Sequence, residues 1–324
     1  MATVDVIVPL YNKEMTIERT IRSIQNQTFV DWNLIVVDDG SQDQGPQRVE
    51  QILDSRIRLI RQSNQGPGAA RNAGIAAASA TFVAFLDADD EWYPHYLENA
   101  VKVIRDNPVS FVASMYMEWP KEQDMTMHWK RRGVIQGTYQ LQGDESISLI
   151  ESLIFFLHVG TILIKKEIVE KYDGFYQEEK CLSGEDSVFF ARLVFNEPFA
   201  VIGPAAVRHN RQDSGLSNTR DRPEIPFLLK PEIVLDYISV DMHPIADLVL
   251  TRMALRTAHH LARNGYGKRA KELLNRFPLR SHFFLLDCCC RLEILLSPVL
   301  PYWVRFKCFV GPKVHQITKG LKKT

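Results

Sequence analysis

Apolar residues in the first hundred positions alternate between two spacings. Val4-Asp5-Val6-Ile7-Val8 is a short apolar run closed by Pro9, the pattern of a buried strand. Ile17, Ile21 and Ile24 then recur at helical spacing, with Asn12 or Thr16 as candidate N-caps. Leu34-Ile35-Val36-Val37 predicts a second strand halting at Asp38-Asp39-Gly40-Ser41, and Ile57-Arg58-Leu59-Ile60 a third. A helix is expected within Gln47 to Leu53 and another over the Ala-rich stretch Ala69 to Ala78. Phe82-Val83-Ala84-Phe85-Leu86 predicts a fourth strand that runs straight into Asp87. Repetition of strand, helix and strand predicts an α/β fold, a Rossmann-like, mostly parallel sheet flanked by helices. Ligands of such sheets bind beyond the carboxyl ends of the strands, where both acidic clusters, at Asp38 and at Asp87, fall.

The pattern is thinner further on. Phe111 to Tyr116 and Thr161 to Ile164 predict strands, and Ser187 to Phe195 a helix. From about Pro244 the reading is mainly helical, with Met253, Ala254, Thr257 and Leu261 on one face and Lys or Arg on the others. The expected organisation is one domain over 1–220, divided near residue 100, and a helical C-terminal extension over 221–324.

Composition bounds this picture. A chain of 324 residues with 45% hydrophobic and 24% charged content has the make-up of a globular protein with a real core. The formal net charge of +0 hides an asymmetry: from Pro244 onward there are about 15 Lys and Arg against 4 Asp and Glu, so an acidic body carries a basic tail. Cys181, Cys288, Cys289, Cys290 and Cys308 form no CxxC pair, which predicts reduced thiols rather than a zinc site or a disulfide framework. Neither a signal peptide nor an apolar run long enough for a transmembrane helix is recognised.

Five places offer chemistry. Asp87-Ala88-Asp89-Asp90 puts three carboxylates in four residues at a strand end, a crowding best tolerated around a cation. Mg²⁺ or Mn²⁺ with a diphosphate uses one or two protein oxygens in this way, whereas the ordinary alternative is a solvated turn. Asp38-Asp39 could accept a hydrogen bond from a base or a ribose, although Asp-Gly also marks plain turns. Arg71 follows Gly66-Pro67-Gly68, so backbone N–H groups and a guanidinium meet at the ligand edge of the sheet, a combination suited to an anion. Glu185-Asp186 stands where a helix begins, either as part of a cap with Ser183 or as a carboxylate kept ionised for general-base work. His209 lies in a polar stretch, Val207 to Arg211, and could complete a Mn²⁺ shell. No GxGxxG or GxxxxGK[ST] occurs, which disfavours dehydrogenase and P-loop folds.

Read in order, six segments resemble the inverting glycosyltransferases of family 2, which have the GT-A fold. They are Val6 to Asn12, Gln25-Asn26-Gln27-Thr28, Val36 to Ser41, Gly66 to Gly74, Phe85 to Asp90, and Gly184-Glu185-Asp186. The resemblance implies a nucleotide-binding half over 1–100 and an acceptor and base half over 101–220. It implies further that Pro9 and Tyr11 line the base pocket and that Asp38 or Asp39 accepts from the base. Arg71 would face the nucleotide or its phosphates, and Asp87 the ribose. Asp89 and His209 would be metal ligands, with Mn²⁺ or Mg²⁺ as cofactor. Asp186 would be the catalytic base, supported by Glu185. The implied reaction moves a sugar from a nucleotide-diphosphate donor, by family frequency a UDP-sugar, to a hydroxyl of a saccharide or lipid-linked saccharide, in surface polysaccharide or lipopolysaccharide assembly. The QxxRW motif of processive synthases is missing, which favours transfer of a single sugar.

Two rival readings are a sugar nucleotidyltransferase and a non-catalytic nucleotide-sugar-binding protein. The first expects a Gly-rich basic loop after the first strand, where this chain has Pro9-Leu10-Tyr11-Asn12-Lys13. In the tail, Phe283 to Leu286, Leu292 to Leu296 and Tyr302 to Lys307 interleave apolar, aromatic and basic residues. Such a segment suits an anionic membrane surface, and its alternatives are a cap on the domain or an oligomer contact. A cytoplasmic protein, peripheral on the inner face of the membrane and without a nucleic-acid partner, is therefore expected.

Overall fold

The computed structural model describes residues 2–178, 184–213 and 226–277, together with Arg291 and Ile294. Its strands are β1 (Val4–Leu10), β2 (Trp32–Asp38), β3 (Ile57–Arg61), β4 (Phe82–Phe85) and β5 (Glu91–Trp92), then β6 (Phe111–Trp119), β7 (Gln123–Asp124), β8 (Gly137–Tyr139), β9 (Ile162–Lys165) and β10 (Phe199–Asn210). Helices α1 (Ile17–Gln25), α2 (Gly45–Glu50), α3 (Pro67–Ala77) and α4 (Tyr96–Asp106) alternate with the first six strands. Further on lie α5 (Thr126–Lys130), α6 (Ile147–Phe156), α7 (Lys166–Lys171), α8 (Glu185–Asn196), α9 (Pro231–Leu235), α10 (His243–Arg263) and α11 (Gly267–Arg276).

Among the described residues the strands form one sheet in the order β3-β2-β1-β4-β9-β6-β10-β5, with β7 on β6 and β8 on β10. Every ladder longer than three residue pairs is parallel, from β1 beside β2 to β6 beside β10. The antiparallel ladders are short and bring in β5, β7, β8 and β9. This is the mixed α/β, mostly parallel architecture that the alternation of apolar spacings predicts. Val6, Ile7 and Val8 of β1 and Val36 and Val37 of β2 are fully buried, as central strands covered on both faces must be.

Helix α3 lies unusually close to the sheet because two glycines permit it. A Cβ on Gly74 would come within 2.4 Å of Ile7 Cγ2, and one on Gly68 within 2.4 Å of the Tyr176 carbonyl oxygen. That approach brings Arg71, on the same helix, to the carboxyl ends of β1 and β4.

Strand β10 departs from the sequence expectation. His209 was expected in a polar loop, yet it occupies the end of a twelve-residue strand. A register shift between Ile202 and Val207, around Pro204, interrupts the apolar pattern there and re-aims the second half of the strand. Val207 and Arg208 then pair with Trp92 and Glu91 of β5, which carries His209 and Asn210 to the Asp89-Asp90 turn.

The chain divides into two compact units, Met1–Arg220 with Lys230–Ala246 and Asp221–Leu229 with Asp247–Thr324. The first holds the sheet. In the second, Ala254, Ala258, Leu261 and Ala262 of α10 and Ala270, Leu273 and Leu274 of α11 are buried. No described helix is long and apolar enough to cross a membrane. The interleaved aromatic and basic segments of the tail lie outside the described residues.

Candidate active site

At the ends of β1 and β2 the backbone is drawn into a shared floor. The Asp39 N–H donates to the Leu10 carbonyl at 2.8 Å, and the Asn12 N–H donates to Ser41 Oγ at 3.1 Å. Asn12 itself adopts φ +51°, a left-handed conformation that Asn tolerates better than most residues, and its Oδ1 accepts from the Gln42 N–H. Tyr11 is left 46% exposed, with an aromatic face open to a ligand. Pro9, one position before the end of β1, is partly buried.

The two aspartates at the end of β2 do different work. Asp39 accepts three hydrogen bonds at 2.8 Å, from Gln62 Nε2, the Gln65 N–H and the Gly66 N–H, and so ties β2 to the entrance of α3. Asp38 accepts the Ser41 N–H at 2.8 Å, and its other oxygen stands 3.9 Å from Arg61 Nε. Both are buried.

Arg71 joins the two halves of the site. Its Nη2 donates to Asp87 Oδ1 at 2.8 Å and its Nη1 to Glu185 Oε1 at 2.7 Å, at only 4% exposure. Burial works against the guanidinium charge, but Asp87 and Glu185 outweigh it and raise the pKa further. Burial likewise works against the Asp87 carboxylate, and Arg71 more than offsets it, so that Asp87 is held below its ordinary value. Expected to face the nucleotide or its phosphates, Arg71 has its two terminal nitrogens on the Asp87 and Glu185 carboxylates in this structure. It links the turn after β4 to the first residue of α8, which lies about 100 positions later in the chain.

The acidic turn is crowded, and each member has a partner. Asp89 Oδ2 lies 2.5 Å from the Lys13 ammonium. Burial, with the charges of Asp90 and Asp87, pushes the Asp89 carboxyl up to about 6 despite that contact. Asp90 is almost fully buried, accepts the Asn210 N–H at 2.7 Å and faces His209 Nδ1 at 3.0 Å. Burial opposes a charge on His209, but Asp90 overrides it and the pKa is raised.

His158, which the sequence reading passed over, completes this corner. Its ring centroid lies 4.2 Å from that of His209, and its Nδ1 accepts the Gly160 N–H at 3.2 Å. Burial, reinforced by His209, pushes it down to about 4, so it is neutral at physiological pH. Asp90, His158 and His209 each bring one ligand atom into a cluster within 4.8 Å. This set of one carboxylate and two imidazoles, in which Asp89 is not included, has donor atoms that suit a divalent cation.

Helix α8 starts without a serine cap among the described residues. Ser183 lies outside them, and Gly184 takes the N-cap position at φ +87°. Glu185 is buried against Arg71. Asp186 accepts the Ser187 N–H at 2.7 Å at the positive end of the helix. Burial and the neighbouring Glu185 charge nonetheless push Asp186 up to about 6. A carboxylate so poised is ionised near neutrality and more basic than a surface aspartate, as a proton acceptor should be.

The glycosyl transferase family 2 model matches residues 5–173. The chain belongs to glycosyltransferase family 2. The succinoglycan biosynthesis protein ExoW of Rhizobium meliloti (strain 1021) is 31% identical over 250 residues, covering 70% of this chain and 75% of that one. The UDP-Glc:alpha-D-GlcNAc-diphosphoundecaprenol beta-1,3-glucosyltransferase WfgD of Escherichia coli is 40% identical over 114 residues, 35% of this chain and 45% of that one. The chain therefore spans less than half the length of relatives such as WfgD. Among solved structures, S. aureus TarS 1–349 in complex with UDP-GlcNAc superposes with a TM-score of 0.69 at 19% identity, over 94% of this chain and 92% of that one, a likeness of fold. Family 2 membership accords with the order of the six motifs; Asp39, Gly66, Arg71, Asp87 and Glu185, from four of them, are linked by hydrogen bonds, whereas Gln25 to Thr28 pack apart from them against Asp54, Tyr93, Pro94 and Leu97.

Proposed function

We propose that this family 2 protein is an inverting, metal-dependent hexosyltransferase that uses a UDP-sugar donor. The observation that carries the reading is the Arg71 bridge, which joins Asp87 to Glu185 and so sets the donor turn beside Asp186. WfgD is named for a UDP-glucose donor and a diphosphoundecaprenol-linked acceptor, and ExoW for succinoglycan biosynthesis. These names support a saccharide acceptor, lipid-linked in the first case, and a role in surface polysaccharide assembly. A lipid-linked acceptor also accords with a tail that meets an anionic membrane on its cytoplasmic face.

In this reading Pro9 and exposed Tyr11 bracket the base, and one of Asp38 and Asp39 accepts from its N–H. Asp87 takes the ribose hydroxyls while Arg71 fixes its carboxylate. Asp89 and the Nε2 of His209 would hold Mn²⁺, the His209 ring being fixed by Asp90 at its Nδ1. When bound, the ion supplies Lewis-acid stabilisation to the leaving diphosphate. Asp186 removes the proton from the acceptor hydroxyl as its oxygen attacks the anomeric carbon opposite the diphosphate. One displacement inverts the configuration. Glu185, already bound to Arg71, acts as a support for this carboxylate.

Transfer assays over a panel of UDP-sugars, with Mn²⁺ or EDTA, test the proposal. Asp186→Asn is expected to lose about 10²- to 10⁴-fold in kcat with donor binding retained. Asp89→Ala is expected to abolish the response to Mn²⁺. Full turnover by Asp186→Asn, or product of retained anomeric configuration, defeats the reading.

A further inference from the structure

Lys13 stands in the loop between β1 and α1, on the wall opposite the acidic turn. Its ammonium lies 2.5 Å from Asp89 Oδ2 and 2.5 Å from the Asp213 carbonyl oxygen. The contact is partly shielded, with the Lys13 side chain 24% exposed and that of Asp89 11%. Arg19 binds the same two residues by their other groups, donating to the Asp89 carbonyl at 2.7 Å and to the Asp213 carboxylate at 2.9 Å. Asp89 therefore has one organic cation on its carboxylate and another on its backbone.

The two cations are not equivalent. Arg19 is further fixed by Glu91, 3.2 Å from its Nε, and reaches no carboxylate oxygen of Asp89. Lys13 meets the Asp89 oxygen directly, at the end of a flexible four-carbon stem. Three carboxylates crowd this turn, and the Lys13 ammonium is the side-chain cation in direct contact with the Asp89 carboxylate. We propose that Lys13 is the built-in counter-ion of this site: its ammonium holds the Asp89 oxygen that a divalent cation would take, and the ion binds by displacing it. The proposal rests on the reading of Asp89 as a metal ligand and deepens it. Ammonium and divalent ion repel each other and compete for one carboxylate, so they exclude one another there.

Mn²⁺ binding to the full chain at pH 8 without nucleotide, followed by the paramagnetic resonance of free Mn²⁺, provides the test. Lys13→Met is expected to bind Mn²⁺ about tenfold more tightly than the unsubstituted protein, a displaced charge-assisted contact being worth about that much. Lys13→Arg, which keeps the charge, is expected to stay near the unsubstituted value. Asp89→Asn is expected to lose the binding. A second readout needs no substitution: reductive methylation of Lys13, followed by peptide mass, should accelerate as Mn²⁺ saturates. Lys13→Met binding Mn²⁺ no more tightly, or Lys13 labelling unchanged by Mn²⁺, overturns the displacement while leaving the metal reading intact if Asp89→Asn still fails to bind. Asp89→Asn binding Mn²⁺ normally instead overturns the metal reading itself.

Discussion

Arg71 carries its charge at 4% exposure, in contact with Asp87 and Glu185, so it bears on stability as well as on the site. Removing one partner of a buried ionic group leaves the others uncompensated. Arg71→Met is expected to lower unfolding stability by about 3–5 kcal/mol, read by urea denaturation. Arg71→Lys should recover only part of this, because one ammonium cannot present two parallel donors to two separate carboxylates. Asp186 predicts the opposite sign. Its folded pKa of about 6 lies above the ordinary 3.8, so the native state binds its proton more tightly than the unfolded chain does. That contribution is fully present below about pH 3.8 and is lost as pH rises through about 6. Asp186→Asn should therefore melt at a higher temperature than the unsubstituted protein at pH 8, by about 1–3 kcal/mol of stability, and near equally at pH 4. The unsubstituted enzyme should lose kcat/KM on the acid side of pH 6 as Asp186 and Asp89 take up protons. Flat activity from pH 5 to pH 8 would remove Asp186 from the role of base. At this scale the sequence announced the carboxylates, because acids at strand ends stand out against apolar runs. It did not announce Lys13 on Asp89 or His158 beside His209, since both are tertiary encounters between residues about 50 or more positions apart, with no local pattern to mark them.

Helix α3 is where element geometry governs the site. Arg71 reaches both carboxylates only because Gly68 and Gly74 let the helix settle onto Ile7 and the Tyr176 backbone. Gly74→Ala presses a methyl group into a buried branched side chain and is expected to cost about 1–3 kcal/mol in urea denaturation. Gly68→Ala presses against a carbonyl oxygen, which yields less readily than a side chain. Its helix must shift, so a loss of kcat is expected beyond the loss of stability, read by assaying transfer well below the melting temperature. If Gly68→Ala transfers sugar at the normal rate, the close seating of α3 does not set the position of Arg71. The core elements β1, β2, β4 and α3 were legible in sequence because each has one dominant period and a polar stop. Strand β10 was not. Its register shift around Pro204 breaks the alternation, and the polar residues Arg208, His209 and Asn210 that follow are paired inside the site rather than solvated in a loop. The two-residue strands β5 and β7 are too short to show any period at all.

Over the whole molecule the charge is divided along the chain: about 15 basic against 4 acidic residues follow Pro244, and the balance before it is acidic. An acidic body is repelled by an anionic bilayer, so any attraction to that surface must come from the tail. In the sequence, Lys313, Lys319, Lys322 and Lys323 follow Trp303, Phe306 and Phe309, so that residue types suited to a lipid interface and to headgroups share one segment of the chain. Each basic residue near an anionic surface contributes about 1 kcal/mol, which falls away as salt screens it. The full chain is therefore expected to float with vesicles containing phosphatidylglycerol and to stay behind with pure phosphatidylcholine. Replacing those four lysines with glutamine should lower vesicle partitioning by at least about tenfold, with transfer to a soluble acceptor analogue unchanged. Raising ionic strength to about 0.5 M should have the same effect on the unsubstituted protein, because surface attraction decays over the shortened Debye length. If the lysine-to-glutamine protein floats as well as its parent, the basic tail has another use, and a lipid-linked acceptor would have to reach the Asp186 carboxylate without help from it.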